Sequence, residues 1–309
     1  MKKEAKHLGK VKMGKDVVAL HLIAYVFCGV MAIVCLVPFL MVVSGSVSSE
    51  ASIADFGFSI WPHEFSWEAY GTVFKEPMVI VRAYGVTIGL TVAGTMIGLV
   101  VSVMTAYVLC RKDFEWRNAF SFFFYFTTLF NGGLVPTYIL YMNTLNLGNT
   151  YLAMLLPLLF SVYNLLIMKS YITSIPDSLV DAAKMDGCSE IKIMFLVIMP
   201  LIKPALATVG LLIALAYWNS WYHAMLFITE DEMFPLQYFL YDTVNNIEAY
   251  KRLIASGASI SSDVSSALAM PSQTLKMALT VVVTGPIIFA YPFVQKYFVQ
   301  GITIGAVKG

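Results

Sequence analysis

Long stretches of this chain contain no Asp, Glu, Lys or Arg: residues 17–49, 83–110, 118–168, 205–229 and, slightly shorter, 277–295. A helix needs about 20 apolar residues to cross a hydrocarbon core about 30 Å thick, so each stretch is a candidate crossing. The third is long enough to cross twice. Asn131-Gly132-Gly133 and Pro136 distort it, and the polar run 143–150 reads as a turn between two helices. The pattern predicts an all-α polytopic membrane protein with six transmembrane helices, near residues 17–44, 83–110, 118–141, 150–172, 204–229 and 277–298. The second carries small residues four apart in two rows, Gly85/Gly89/Ala93 and Gly94/Gly98/Ser102/Ala106, which suit close packing against another helix.

Composition agrees: 59% of the 309 residues are hydrophobic and 13% charged, too apolar for a soluble fold. If the N-terminus is cytoplasmic, the inner segments hold fifteen of the twenty basic residues against eight acids, and the outer segments five against eleven. This is the positive-inside bias, and both termini are expected in the cytoplasm. The apolar run after Lys15 is too long for a signal peptide, so residues 1–16 read as a basic cytoplasmic tail before a retained first helix.

Chemistry is sparse. Cys28, Cys35, Cys110 and Cys188 are expected as free thiols, and the four histidines lack companions at ligand spacing, so no metal site and no catalytic residue is expected. Gly9 to Asp16 nearly spells a phosphate-binding loop. Asp16, however, stands where a hydroxyl should meet magnesium, and no strand precedes it. The chain is therefore expected to lack a nucleotide site, leaving ATP and magnesium to another subunit. No Asp, Glu, Lys or Arg lies in the crossing cores, which disfavours a secondary transporter driven by a coupling ion. A membrane-embedded enzyme lacks its motifs.

The informative segment is the loop between the fourth and fifth crossings. Pro176 suits a first-turn position, Asp177 and Asp181 complement the positive end of a helix dipole, and Gly187 suits a left-handed ending. These residues predict a short helix on the cytoplasmic face, with Ala182 and Ala183 offering a smooth docking surface. Beyond the glycine, Ile191, Phe195 and Ile198 recur at helical spacing before Pro200 and Pro204.

Asp181-Ala182-Ala183-Lys184-Met185-Asp186-Gly187-Cys188, followed by Met199-Pro200, resembles the cytoplasmic coupling loop of ABC importer permeases, the EAA motif. There the pattern is Glu-Ala-Ala, two residues, Asp-Gly-Ala, then a hydrophobic stretch ending in Leu-Pro. Asp181 keeps the family's charge on a shorter arm, Cys188 replaces an alanine and Met199 a leucine. With six crossings and the ending at Gly301 to Gly309, nearly the whole chain resembles carbohydrate-uptake permeases of the maltose-permease G-subunit type, LplC/YtcP-like.

The resemblance implies a type I ABC importer permease fold, with residues 17–309 as one permease domain and the coupling loop at 173–204. It implies a homologous second permease, two ATPase domains, an extracytoplasmic solute-binding protein, and a sugar or oligosaccharide as cargo. It assigns ATPase coupling to Asp181, Ala182, Ala183, Asp186, Gly187 and Pro200. Sugar recognition needs aromatic faces and hydrogen-bonding groups within an apolar wall. Tyr217, Trp218, Asn219 and Trp221, with Asn164, are the candidate substrate pathway, although both tryptophans equally suit packing or an interfacial belt. The acidic outer segments 48–82 and 230–276 suit contact with a binding protein or plain solvation.

Overall fold

A computed structural model describes residues 14–255 and 273–289. Residues 1–13 of the basic tail, with most of the near-match to a phosphate loop, the end of the sixth crossing and the C-terminal residues 290–309 lie outside the described residues. In chain order the helices are α1 (Lys15–Ser46), α2 (Glu50–Phe56), α3 (Glu68–Val73), α4 (Pro77–Cys110), α5 (Arg117–Leu129), α6 (Leu134–Ile139) and α7 (Tyr151–Leu155). They continue as α8 (Val162–Thr173), α9 (Asp177–Met185), α10 (Glu190–Lys192), α11 (Met199–Leu201), α12 (Lys203–Trp218), α13 (Tyr222–Phe227), α14 (Leu236–Ala255) and α15 (Gln273–Phe289). Among the described residues no strand forms beyond one isolated bridge between Ser48 and Phe65.

Among the described residues two helices, Asp16–Ser46 and Pro77–Cys110, are long and apolar enough to cross a membrane unbroken. Two bent pairs raise the number to four: Tyr151–Leu158 with Val162–Thr173, turned by 48°, and Glu190–Leu201 with Lys203–Trp218, turned by 88°. The remaining two predicted crossings are shorter in helix. The third stops at Leu129, where Asn131 Oδ1 accepts from Gly133 N (2.9 Å) and Gly133 adopts φ +87°, before α6 and a π-helical turn at Leu140–Thr144. The sixth is described as Gln273–Phe289. The fifth, expected to 229, ends at Trp218, where Asn219 caps it through Nδ2 donating to Leu215 O (2.9 Å).

The chain divides into two compact units. The first comprises residues 1–72 with 270–281. Within it the carboxylate of Glu50 accepts from the amides of Gln273 (2.9 and 3.0 Å) and Thr274 (3.0 Å) and from the Thr274 hydroxyl (3.0 Å), closing the N-terminus of α15. The hydroxyl groups of Ser46 and Tyr70 meet at 2.9 Å.

The second unit comprises residues 73–269 with 282–309 and is built around α4. The two rows of small residues on α4 have different fates. Gly94, Gly98, Ser102 and Ala106 are buried against neighbouring segments; a methyl at Gly98 would stand 2.9 Å from Leu159 O and 3.4 Å from Ile213. The facing helix reciprocates at Gly210, where a methyl would lie 3.1 Å from Leu99. Glycines set into both surfaces let α4 and α12 approach closely and gain dispersion contacts along their length. Gly85, Gly89 and Ala93 remain exposed and line, with Arg82 and Tyr151, an apolar groove of about 500 Å³.

Two further differences concern the loops. The 3.6-residue spacing of Ile191, Phe195 and Ile198 does not survive, because residues Ile193–Ile198 form a π-helical run. Its wider turn advances the phase, burying Ile193, Met194 and Ile198 while Ile191 and Phe195 stay 68% and 44% exposed. The acidic segment from 230 also contains α14, 20 residues long, whose Leu236 is buried.

Candidate functional site

The loop read as a coupling element folds as α9, nine residues from Asp177 to Met185, with Pro176 extended just before it. Its ending is a complete Schellman motif. Cys188 N donates to Ala183 O and Gly187 N to Lys184 O, both at 3.0 Å, and Gly187 takes φ +75°. That left-handed conformation costs an L-residue roughly 1–2 kcal/mol, which is the physical reason for glycine here.

The two alanines face opposite ways. Ala183 and Val180 are buried in the core with Tyr107, Ile172 and Ile193. Ala182 faces outward beside Leu179 and Met185, the latter 88% exposed, and Asp181, also exposed, stands at their edge where it lines the rim of the cleft described below. An apolar strip with one carboxylate is thus displayed on the outer surface of α9. Asp186 and Gly187 are exposed at its end, and Pro200 lies in α11 on the far side of the π run.

The inner side of α9 overlies a cleft of about 640 Å³ that reaches Tyr107, Arg111, Ile172, Asp177 and Lys184. Charges from the turn after α4 meet α9 there. Lys112 Nζ lies 2.6 Å from Asp177 Oδ2. Arg111 grips Asp113 with Nε on Oδ1 (3.1 Å) and Nη2 on Oδ2 (2.9 Å). Arg111 also reaches Glu190 Oε1 at 3.4 Å, and Lys184 Nζ lies 2.8 Å from Glu190 Oε1 and 3.6 Å from Asp113 Oδ2. The Tyr107 hydroxyl donates to the other Glu190 oxygen. The Arg111 hydrogen bond holds the Asp113 carboxyl below the usual carboxylate range, and the Lys112 hydrogen bond does the same for Asp177. Sequence reading missed Arg111, Lys112 and Asp113 as partners of the loop; the Arg-Lys-Asp triplet after an apolar helix was the visible signal.

The five candidate substrate residues do not converge. Asn164 is buried in α8. Tyr217 is buried between α12 and α4, and its hydroxyl donates to Leu155 O at 2.6 Å. Trp218 packs beside Ala83, Leu236 and Val283 with its indole N–H buried and without a partner among the described residues. Asn219 and Trp221 are exposed, the Trp221 ring stacked on Tyr241 with centroids 4.5 Å apart. Among the described residues no cluster of three His, Cys, Asp or Glu could hold a metal ion.

The described residues thus form apolar helices with a glycine-closed surface helix between the fourth and fifth predicted crossings. The chain belongs to the family of binding-protein-dependent transport system inner membrane components, whose profile matches residues 18–304; it is a transporter subunit and not itself an enzyme. It is 36% identical over 283 residues to protein LplC of Bacillus subtilis (strain 168), covering 92% of each chain. It is 35% identical over 289 residues to the polygalacturonan/rhamnogalacturonan transport system permease protein YtcP of the same organism, covering 93% of this chain and 98% of that one. Among solved structures it matches a chain of a bacterial ABC transporter involved in the import of the acidic polysaccharide alginate. The TM-score is 0.79 at 31% identity, covering 93% of this chain and 99% of the other.

Proposed function

We propose that this chain is one of two homologous permeases in an ATP-driven importer of the bacterial cytoplasmic membrane. Its cargo is a sugar or oligosaccharide handed over by an extracytoplasmic solute-binding protein. Two ATPase domains bind on the cytoplasmic side, and ATP and magnesium belong to them. Both termini of the permease lie in the cytoplasm.

The observation that carries this reading is α9: its inner face is anchored in the core through Val180 and Ala183, while Leu179, Asp181, Ala182 and Met185 stand free. A nine-residue helix with an unpartnered apolar strip is suited to entering a cleft on another protein. Asp181 supplies a carboxylate for a cation at the edge of that cleft. Movement of the motor then moves α9 as a rigid lever, with Gly187 as the corner. Of the substrate residues, Asn219 and Trp221 are the two left accessible, and a sugar is expected to meet these rather than Tyr217.

Co-expression with the ATPase, the second permease and the binding protein, followed by reconstitution into vesicles, tests the reading. Sugar uptake should require ATP, the binding protein and all membrane subunits. Uphill uptake by this polypeptide alone would overturn it.

A further inference from the structure

The backbone joins α9 to α8 on one side and to α10 on the other, so chain connection alone carries motion only to those helices. The charged groups make a third connection. Lys112 meets Asp177 at the first residue of α9 (2.6 Å), Asp113 meets Lys184 in its last turn (3.6 Å), and Arg111 meets Glu190 beyond the glycine bend (3.4 Å). All three partners are consecutive residues that continue α4 directly.

Asp177 and Lys184 are seven residues apart, about 10 Å along a helix axis. One short segment therefore holds α9 at both ends, across the cleft. A single contact passes on a push but lets the helix pivot; two contacts separated along the axis also pass on rotation. The segment is itself stiffened, because Arg111 holds Asp113 in a two-pronged bond while also reaching Glu190. α4 is the helix against which α12 packs at Gly94, Gly98 and Gly210, so what reaches its cytoplasmic end reaches that interface.

We infer that Arg111, Lys112 and Asp113 are positioning residues that clamp both ends of α9 to α4 and route motion of the coupling helix into the second membrane crossing. This rests on the reading of α9 as the element gripped by the ATPase.

The test uses the complete transporter in vesicles and reads sugar molecules moved per ATP hydrolysed. Loss of folding or assembly lowers both rates together and leaves that ratio unchanged. Lys112→Ala, Asp177→Ala and the double change should each lower the ratio about three- to tenfold, the double no further than the singles, because one interaction is removed in all three. Asp113→Asn should lower it as well, with ATP hydrolysis per complex preserved. As a second readout, spin labels at positions 108 and 178 in a cysteine-free background should keep a constant distance between nucleotide states. In Lys112→Ala that distance should vary. Wild-type ratios in all these variants, or independent movement of the labels in the unmodified protein, would overturn the clamp. Asp181→Lys serves as the reference: if it leaves ATPase binding and transport unaltered, the reading of α9 fails instead.

Discussion

The ring of Tyr217 lies directly over Gly94: a Cβ built on that glycine would stand 2.2 Å from two ring carbons. The ring cannot swing aside freely, because its hydroxyl donates to Leu155 O at 2.6 Å and the side chain is 2% exposed. A Gly94→Ala change must separate α4 from α12 or break that hydrogen bond, and overpacking of this kind costs about 1–3 kcal/mol. The detergent-solubilised protein should therefore melt several degrees lower. Gly89→Ala, with nothing within 4 Å of the new methyl, should melt as the parent does. Equal melting temperatures for the two variants would show that the contact is not tight.

Glu50 offers a second test of packing within the first unit. Its two oxygens accept from two backbone amides and one hydroxyl at the start of α15, more than 220 residues further along the chain. Helix N-terminal caps are worth about 0.5–2 kcal/mol, and a carboxylate there also meets the positive end of the helix dipole. Glu50→Ala should lower thermal stability by about that amount. Glu50→Gln, which keeps one acceptor, should lose less, and the two losses can be read from melting curves of purified protein.

How much of this could be read from the sequence depended on how local the cause was. α9 and its glycine ending follow from residues within one dozen positions, Pro176, Asp177 and Gly187, and they fold as their intrinsic preferences dictate. The contacts that hold α9 and the residue beyond its bend span 65 and 79 positions, Lys112 to Asp177 and Arg111 to Glu190, and no periodicity encodes such pairings. Tyr217 shows the same limit. An aromatic residue in a uniformly apolar helix carries no mark of which way it faces, and only the glycine opposite it reveals that it points into the core. The helical spacing of Phe195 and Ile198 is interrupted by the π run Ile193–Ile198, which no 3.6-residue template anticipates.

At Gly187 the backbone, not the surrounding space, sets the constraint. A methyl would meet nothing within 4 Å, yet φ is +75°. Gly187→Val should thus leave membrane insertion intact and uncouple sugar transport from ATP hydrolysis. Gly187→Asn, whose side chain tolerates the left-handed region, should retain much of the activity. Normal uptake by the valine variant, measured in vesicles containing the whole transporter, would count against the assigned role of the bend.

The adjacent alanines should separate folding from docking. Ala183 is 9% exposed and faces Val180 and Ile193, so Ala183→Leu forces extra volume into a filled core and should cost about 1–3 kcal/mol of stability. Ala182 faces outward between Asp181 and the 88% exposed Met185, so Ala182→Leu should leave the melting curve of the permease in place. If the outer strip enters a cleft on the ATPase, the same leucine should reduce the amount of ATPase retained when the permease is captured on resin. The two variants thus give opposite patterns, one a lowered melting temperature and the other lowered retention. Retention unchanged by Ala182→Leu and by Met185→Asp would mean that this face of α9 carries no partner.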